Sequence, residues 1–362
     1  MNPLNQIRKM GQSIWLDLLE REIMDSGKLQ DLIDHDDLRG MTSNPSIFEK
    51  AISGSSDYDQ DILKLSQKED SNPAIFFDLA IADIQRAADL FKPVYDQTNG
   101  TDGFVSLEVS PYLARDTDGT IDQARDLWKR VDRKNVMIKI PGTKEGLIAI
   151  RECLREGINI NVTLLFGLPR YREITEAFMG GLEDRLAEGH SINEVSSVAS
   201  FFLSRIDVMV DPMLKEKGAE HLVGKIAIAS AKKAYQIYLE MIASDRFKKL
   251  EENGAQKQRV LWASTGTKDP AFSDVLYVEN LIGKDTINTL PMETSDAFRD
   301  HGKVAETLTE NLVDADKAME ELEKTGIDID KITQKLEEEG IEKFNQAYEK
   351  LLKSIDSQRR KL

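Results

Sequence analysis

The sequence predicts a (β/α)8 barrel with additional helices. Three observations lead there. Short apolar, β-branched runs alternate with longer stretches of helical period, the runs read apolar on both faces, and eight of them can be counted along the chain. Strands buried on both faces belong to a parallel sheet covered by helices. Eight strand–helix units in one chain fit a closed barrel. The doubly wound open sheet is the alternative. An open sheet that holds a dinucleotide carries a GxGxxG turn after its first strand, and this chain has none there.

The elements follow in order. SIWLDL (13–18) and GMTSNPS (40–46) are the first two strands, and 47–103 is long enough to hold several helices between the second and third. FVSLEVS (104–110) precedes the segment DQARDLWKRV, where Ala124, Leu127, Trp128 and Val131 recur at helical spacing. NVMIKIP (135–141) is the fourth strand, followed by KEGLIAIRECLREG, a helical pattern that stops on glycine. INVTLLF (160–166) and ASFFLSR (199–205) come next, and a second long insert, 206–259, contains the helical run VGKIAIASAKKAYQIYLEMI. VLWAST (260–265) and TINTLP (286–291) complete the set, and the tail from Asp314 to Leu362 reads as helices. No linker, low-complexity segment or internal repeat interrupts the chain. Residues 1–362 are therefore expected to form a single barrel domain with a helical C-terminal extension.

Composition narrows the function classes. A 40% hydrophobic and 31% charged chain suits a globular protein. It lacks an eighteen-residue apolar run and a signal-peptide core, so no membrane span and no export are expected. A net charge of −16 argues against nucleic acid and anionic membranes as partners, while leaving room for a local basic pocket. The single cysteine, Cys153, permits neither an internal disulfide nor a cysteine-cluster metal site, which suits a reducing cytoplasm. Glu337, Glu338 and Glu339 read as a solvated helix face. His35, His190, His221 and His301 lie in polar segments and read as exposed. Trp15, Trp128 and Trp262 read as core or barrel wall.

A barrel's active site lies at the C-terminal ends of its strands, so polar residues inside the apolar runs are the candidates. Side chains alternate along a strand. In VMIKIP, Met137, Lys139 and Pro141 share one face, and Val136, Ile138 and Ile140 share the other, which should pack on helices. Lys139 then points into the barrel. An ammonium there is costly unless it is paired or held neutral for chemistry. Arginine is the commoner choice for a buried structural ion pair, and a buried lysine attacks carbonyls to form a Schiff base. Lys144, just past the strand, reads as solvated. Other strands supply partners: Asp17 between Leu16 and Leu18, Glu108 between Leu107 and Val109, and Asn161 and Thr163 on one face of the fifth strand. Asn44, Pro45 and Ser46 follow the second strand, and Ser200, Ser204 and Arg205 occupy the sixth. Such a set suits a Schiff-base aldolase. Lys139 is the amine, Glu108 and Asp17 divide the proton work, and Arg205 can bind a phosphate.

These segments resemble those of the transaldolase family, class I Schiff-base enzymes. MTSNPSIF, VMIKIPGTKEG, GINxNVTLLF and ASFFLSRID occur in the family's order, and the similarity runs from about Ile14 to Leu352. The long insert after the sixth strand and VLWASTGTKDP resemble the longer bacterial and plant-type subfamily. The resemblance implies a (β/α)8 barrel and transfer of a dihydroxyacetone unit from sedoheptulose 7-phosphate to glyceraldehyde 3-phosphate, in the pentose phosphate pathway. It implies Lys139 as the Schiff-base amine, Asp17 as acid/base at the breaking bond, and Glu108 and Thr163 as holders of the proton-shuttling water. Asn44, Asn161 and Ser200 would bind the dihydroxyacetone hydroxyls, and Arg205 the phosphate. Where many members place a second phosphate-binding arginine, this chain has Lys268, with Ser264 and Thr267 nearby. No metal or organic cofactor is implied. Partners are limited to small sugar phosphates, and the chain is expected to be a monomer or homodimer. Phe344 and Tyr348 on the tail helix read as packing, and the resemblance implies that the C-terminal segment lies near the site, where it would cover the barrel mouth.

Overall fold

The computed structural model describes residues 2–68 and 71–360. Eight parallel strands close a barrel in chain order. They are β1 (Gln12–Asp17), β2 (Leu38–Thr42), β3 (Phe104–Glu108), β4 (Val136–Pro141), β5 (Ile160–Leu165), β6 (Ser197–Phe202), β7 (Arg259–Ala263) and β8 (Thr286–Leu290). β8 pairs with β1, Gln12 opposite Thr286, which excludes the open sheet.

Each expected run contains one strand, most end one to four residues early, and for three of them the local reason is visible. β2 stops at Thr42 because Asn44 caps a helix, Pro45–Gly54, its side chain accepting the Ile47 N–H at 3.0 Å. Asparagine at the cap and proline in the first turn are both favoured there. β6 stops at Phe202 because the helix Ser204–Glu216 begins two residues later, so Arg205 stands on a helix and not on the strand. β7 stops at Ala263 because Ser264 takes a left-handed backbone, φ 55°. That conformation cannot continue a strand.

Alternation in β4 works as the pattern requires. Val136, Ile138 and Ile140 are completely buried, and β4 packs on the helices Thr117–Val131 and Lys144–Glu156. Each such side chain contributes about 1.5–3 kcal/mol by leaving water. Trp15 and Trp262 are fully buried, and Trp128 is partly buried against the same core. The four histidines and Lys144 are exposed. The N-terminal end of the barrel is closed by an ion pair. Arg259 Nη2 donates to Asp102 Oδ1 at 2.8 Å and to the Thr101 carbonyl at 2.5 Å, while Arg259 Nη1 donates to Ser13 Oγ at 3.0 Å.

The first insert folds into the helices Pro45–Gly54, Asp59–Ser66 and Asn72–Gln97, with residues 69–70 outside the described set. The second contributes Ser204–Glu216, Ile226–Ala243 and Asp245–Glu252. In the tail lie Leu312–Lys324 and a C-terminal helix, Ile329–Arg359; residues 361–362 are outside the described set. That last helix packs on Pro45–Gly54, Asp59–Ser66, Asn72–Gln97, Ser204–Glu216 and β5. Its approach to the barrel is close at Gly340, where a Cβ atom would stand 3.0 Å from Leu164 Cδ2 and 3.6 Å from Arg205 Nη1. One glutamate departs from the solvated-face expectation. Glu337 is buried, 3.3 Å from Arg170 Nε, because the helix turns that position toward the helix Leu168–Ala187. Among the described residues no helix is long and apolar enough to cross a membrane.

Candidate active site

Strand register assembles the centre of the site. Glu108, Lys139 and Asn161 stand opposite one another on β3, β4 and β5. Period-two alternation places all three side chains inside the barrel, and all three are buried. Lys139 Nζ donates to the Ser43 carbonyl at 2.9 Å and lies 3.6 Å from Glu108 Oε2, an ion-pair distance longer than a hydrogen bond. Both Glu108 carboxylate oxygens and the Thr163 hydroxyl are buried without a protein hydrogen-bond partner. Burial pushes the Glu108 carboxyl up to about 7, against the pull of the Lys139 charge and with a push from Asp17. A group with that affinity gives and takes protons readily at neutral pH.

Asp17 ends β1 and is paired in register with Thr42. The Thr42 hydroxyl donates to Asp17 Oδ1 at 2.7 Å and also meets the Thr289 hydroxyl at 2.8 Å. Desolvation raises the Asp17 carboxyl, while Lys139, Thr42 and Lys268 lower it. On the opposite wall Ser200 Oγ donates to Asn161 Oδ1 at 2.7 Å, and Asn161 Nδ2 donates to Ser106 Oγ at 3.0 Å. This chain fixes which way the Asn161 amide points.

A cavity of about 170 Å³ opens above these groups, with Asp17, Lys139, Asn44 and Ser200 in its lower wall and Arg205 and Lys268 higher up. Arg205 Nη1 is buried with no hydrogen-bond partner, and no carboxylate lies within ion-pair distance among the described residues. Its guanidinium sits 5.7 Å from the Phe202 ring centre, and desolvation holds its pKa down. Glu339 offsets part of its charge from a distance, but a cation with a buried, unpartnered nitrogen and no ion-pair contact suits an anionic ligand. Lys268 is exposed and lines the same cavity. Ser264 lines it too, its hydroxyl 2.8 Å from that of Ser204, whereas the Thr267 hydroxyl donates to the Ser273 carbonyl.

The nine residues singled out in the sequence thus converge, six on the cavity wall and three, Glu108, Asn161 and Thr163, in the buried layer around Lys139. Sequence reading missed Thr42, Thr289, Ser106, Phe202 and Phe344. The first three are hydroxyls on strands, and only register reveals that Thr42 meets Asp17, Thr289 meets Thr42 and Ser106 meets Asn161. Phe344 reaches the cavity from the C-terminal helix.

Comparison with known proteins shows the family. The sequence model of the family described as Transaldolase/Fructose-6-phosphate aldolase matches residues 14–355. A protein named Transaldolase from Trichodesmium erythraeum is 48% identical over 322 residues, covering 86% of this chain and 85% of its own length. One from Saccharopolyspora erythraea is 44% identical and covers 98% of this chain and 97% of its own length. A third, from Mycobacterium marinum, is 43% identical over 99% of this chain and 97% of its own. A family match across nearly the whole barrel, and relatives of this similarity along the full chain, place the protein: it belongs to the transaldolase/fructose-6-phosphate aldolase family of enzymes.

Proposed function

We propose that this transaldolase moves a dihydroxyacetone unit from sedoheptulose 7-phosphate to glyceraldehyde 3-phosphate, giving erythrose 4-phosphate and fructose 6-phosphate, through a Schiff base on Lys139. The observation that carries the reading is the buried Lys139 amine, 3.6 Å from Glu108, at the floor of a cavity whose wall holds the unpaired Arg205.

The donor phosphate binds Arg205, with Lys268 as a second point charge. Asn44, Asn161 and Ser200 hold hydroxyls of the ketose end. The Lys139 nitrogen adds to the ketone carbon, and the carbinolamine oxygen leaves as water after taking a proton. Glu108 supplies that proton through a water held with Thr163, and its raised pKa suits both directions of the transfer. Asp17 accepts the proton of the hydroxyl next to the scissile bond. The carbon–carbon bond then breaks, the aldehyde leaves, and the bonding electrons pass into the lysine-bound enamine. The enamine adds to the acceptor aldehyde, Asp17 returns the proton, and water releases the new ketose from Lys139.

Fructose 6-phosphate plus borohydride tests the mechanism. A reduced three-carbon adduct on Lys139, located by mass spectrometry, is expected. Absence of an adduct in folded protein that binds the sugar phosphate overturns it. A second reading, cleavage with release of free dihydroxyacetone, follows from the aldolase half of the family description. The name of the three relatives, Transaldolase, favours transfer. Fructose 6-phosphate cleavage that needs no acceptor aldehyde would reverse that preference.

A further inference from the structure

Beside the main cavity, with which it shares Asn44, lies a small space of about 10 Å³ whose walls include Phe48, Phe76, Glu108, Ser110 and Tyr348. That is close to the smallest space that holds one water, which also needs two to four polar partners. The partners are present. Glu108 brings a carboxylate with two unsatisfied buried oxygens, Tyr348 brings a hydroxyl with Ser110 beside it, and Asn44 brings its amide. Glu108 Oε2 is the oxygen that faces Lys139 at 3.6 Å, which leaves Oε1 for a partner on the other side. Thr163 does not border this space, so a water here is distinct from one shared by Glu108 and Thr163.

The Tyr348 ring is held firmly. It is 1% exposed, and it makes edge contacts with Phe76 at 5.5 Å and with Tyr112 at 5.3 Å. Packing alone would be met by phenylalanine. A buried tyrosine hydroxyl, by contrast, needs polar partners: Ser110 is one, and Tyr348 borders the same small space as the Glu108 carboxylate.

We propose that Tyr348, carried by the C-terminal helix, is a positioning residue for Glu108: its hydroxyl, through one water in this space, orients the carboxyl group that faces Lys139. This rests on Glu108 acting as the proton carrier described above. The charged or titratable groups that face Glu108 are Lys139 from β4, Asp17 from β1 and Tyr348 across the space. The helices Pro45–Gly54 and Asn72–Gln97 present Phe48 and Phe76, and Tyr112 stands behind Tyr348. The hydroxyl donates to the water and the water donates to the carboxylate, which favours the ionised form. Removing the hydroxyl therefore tightens the proton on Glu108.

The test is Tyr348→Phe with two readouts. The first is the pH dependence of Schiff-base formation in a single turnover. The second needs no sugar: the infrared band of the protonated Glu108 carboxyl, assigned by its loss in Glu108→Gln, followed as pH is raised at a temperature where the variant is folded. In Y348F the limb and the band are both expected to move to higher pH by about half to one unit, a shift typical of losing one hydrogen bond to a carboxylate. KM should stay within about two-fold, because the hydroxyl does not line the substrate cavity. A limb and band that stay where they are in folded Y348F overturn the proposal and leave Tyr348 as packing. Failure of the wild type to form any Schiff base sinks the proposed function instead, and the infrared readout still decides whether Tyr348 acts on Glu108.

Discussion

Both ends of the barrel hold an arginine, buried at the N-terminal end and half-buried at the C-terminal end. At the N-terminal end, Arg259 is bonded to Asp102, Ser13 and the Thr101 carbonyl. At the C-terminal end, Arg205 keeps a buried Nη1 with no partner. The carboxylates differ in the same way. Asp102 accepts from Arg259 and Ser13, whereas Glu108 is left with two bare oxygens 3.6 Å from Lys139 at the nearest. Satisfied polar groups hold a fold together; unsatisfied ones are tolerated where a ligand, a water or a reaction completes them. So the lower end is where substitution should alter stability, and the upper end is where it should alter chemistry.

The largest effect that could break this division is at Lys139. Lys139→Met is expected to lower turnover by about 10⁴-fold or more, since the covalent step has no substitute. Its melting temperature should fall little, because the Glu108 carboxyl, already pushed up to about 7, takes up a proton once the Lys139 charge is gone and no bare charge is left buried. A large loss of stability would place Lys139 with Arg259 as a structural cation.

At the other end, Arg259→Met removes one partner of a buried pair and should cost about 3–5 kcal/mol, measured by urea unfolding. Turnover per folded molecule should be unchanged. The reverse result, a stable and inactive variant, would erase the distinction between the ends.

The third effect sharpens the comparison through pH. The Glu108 carboxyl rises from 4.5 to about 7 on folding. The folded state holds a proton that the unfolded chain releases, so this contribution is complete below pH 4.5 and is lost as pH rises through 7. Wild type should lose roughly 3 kcal/mol relative to Glu108→Gln between pH 4.5 and pH 8 at most, by the linkage between pKa and stability. A stability difference that does not vary with pH would mean that Glu108 does not titrate there.

Arg205→Met comes next. KM for a sugar phosphate should rise about 10- to 100-fold, roughly 1.4–2.7 kcal/mol, with stability unchanged or higher. Substrates lacking phosphate should show no such change. The smallest effect is Gly340→Ala. The added Cβ would meet Leu164 at 3.0 Å, opposing a helix preference of about 1 kcal/mol for alanine over glycine. Net stability should move by less than about 1 kcal/mol, while KM rises a few-fold because Arg205 lies beside the same helix turn. An unchanged KM would detach that helix from the binding site.

The barrel itself was legible because eight runs apolar on both faces leave few alternatives. The side chains of Lys139 and Glu108 could be aimed inward because each strand fixes its own alternation. Where strands stop was less legible. Asn44 ends β2 by capping a helix, β6 gives way to the helix that starts at Ser204, and Ser264 ends β7 with a left-handed turn; those signals compete with strand-like composition. The hydroxyls of Thr42, Thr289 and Ser106 were out of reach for another reason. Their partners are set by register between strands, as in Trp15 opposite Thr289, and no single strand encodes that. Glu337 was misread because a run of three glutamates looks solvated until a neighbouring helix supplies Arg170.

The placement of Phe344 and Tyr348 has a consequence for how the enzyme comes into being. Every strand of the barrel lies upstream of residue 291, yet one wall of the cavity comes from the helix Ile329–Arg359. On a ribosome that releases the chain from its N-terminus, the barrel can close while its mouth is still missing a wall. In that order of events the cavity around Lys139 would lack Phe344 until the last helix docked, so the finished mouth depends on the part of the chain made last.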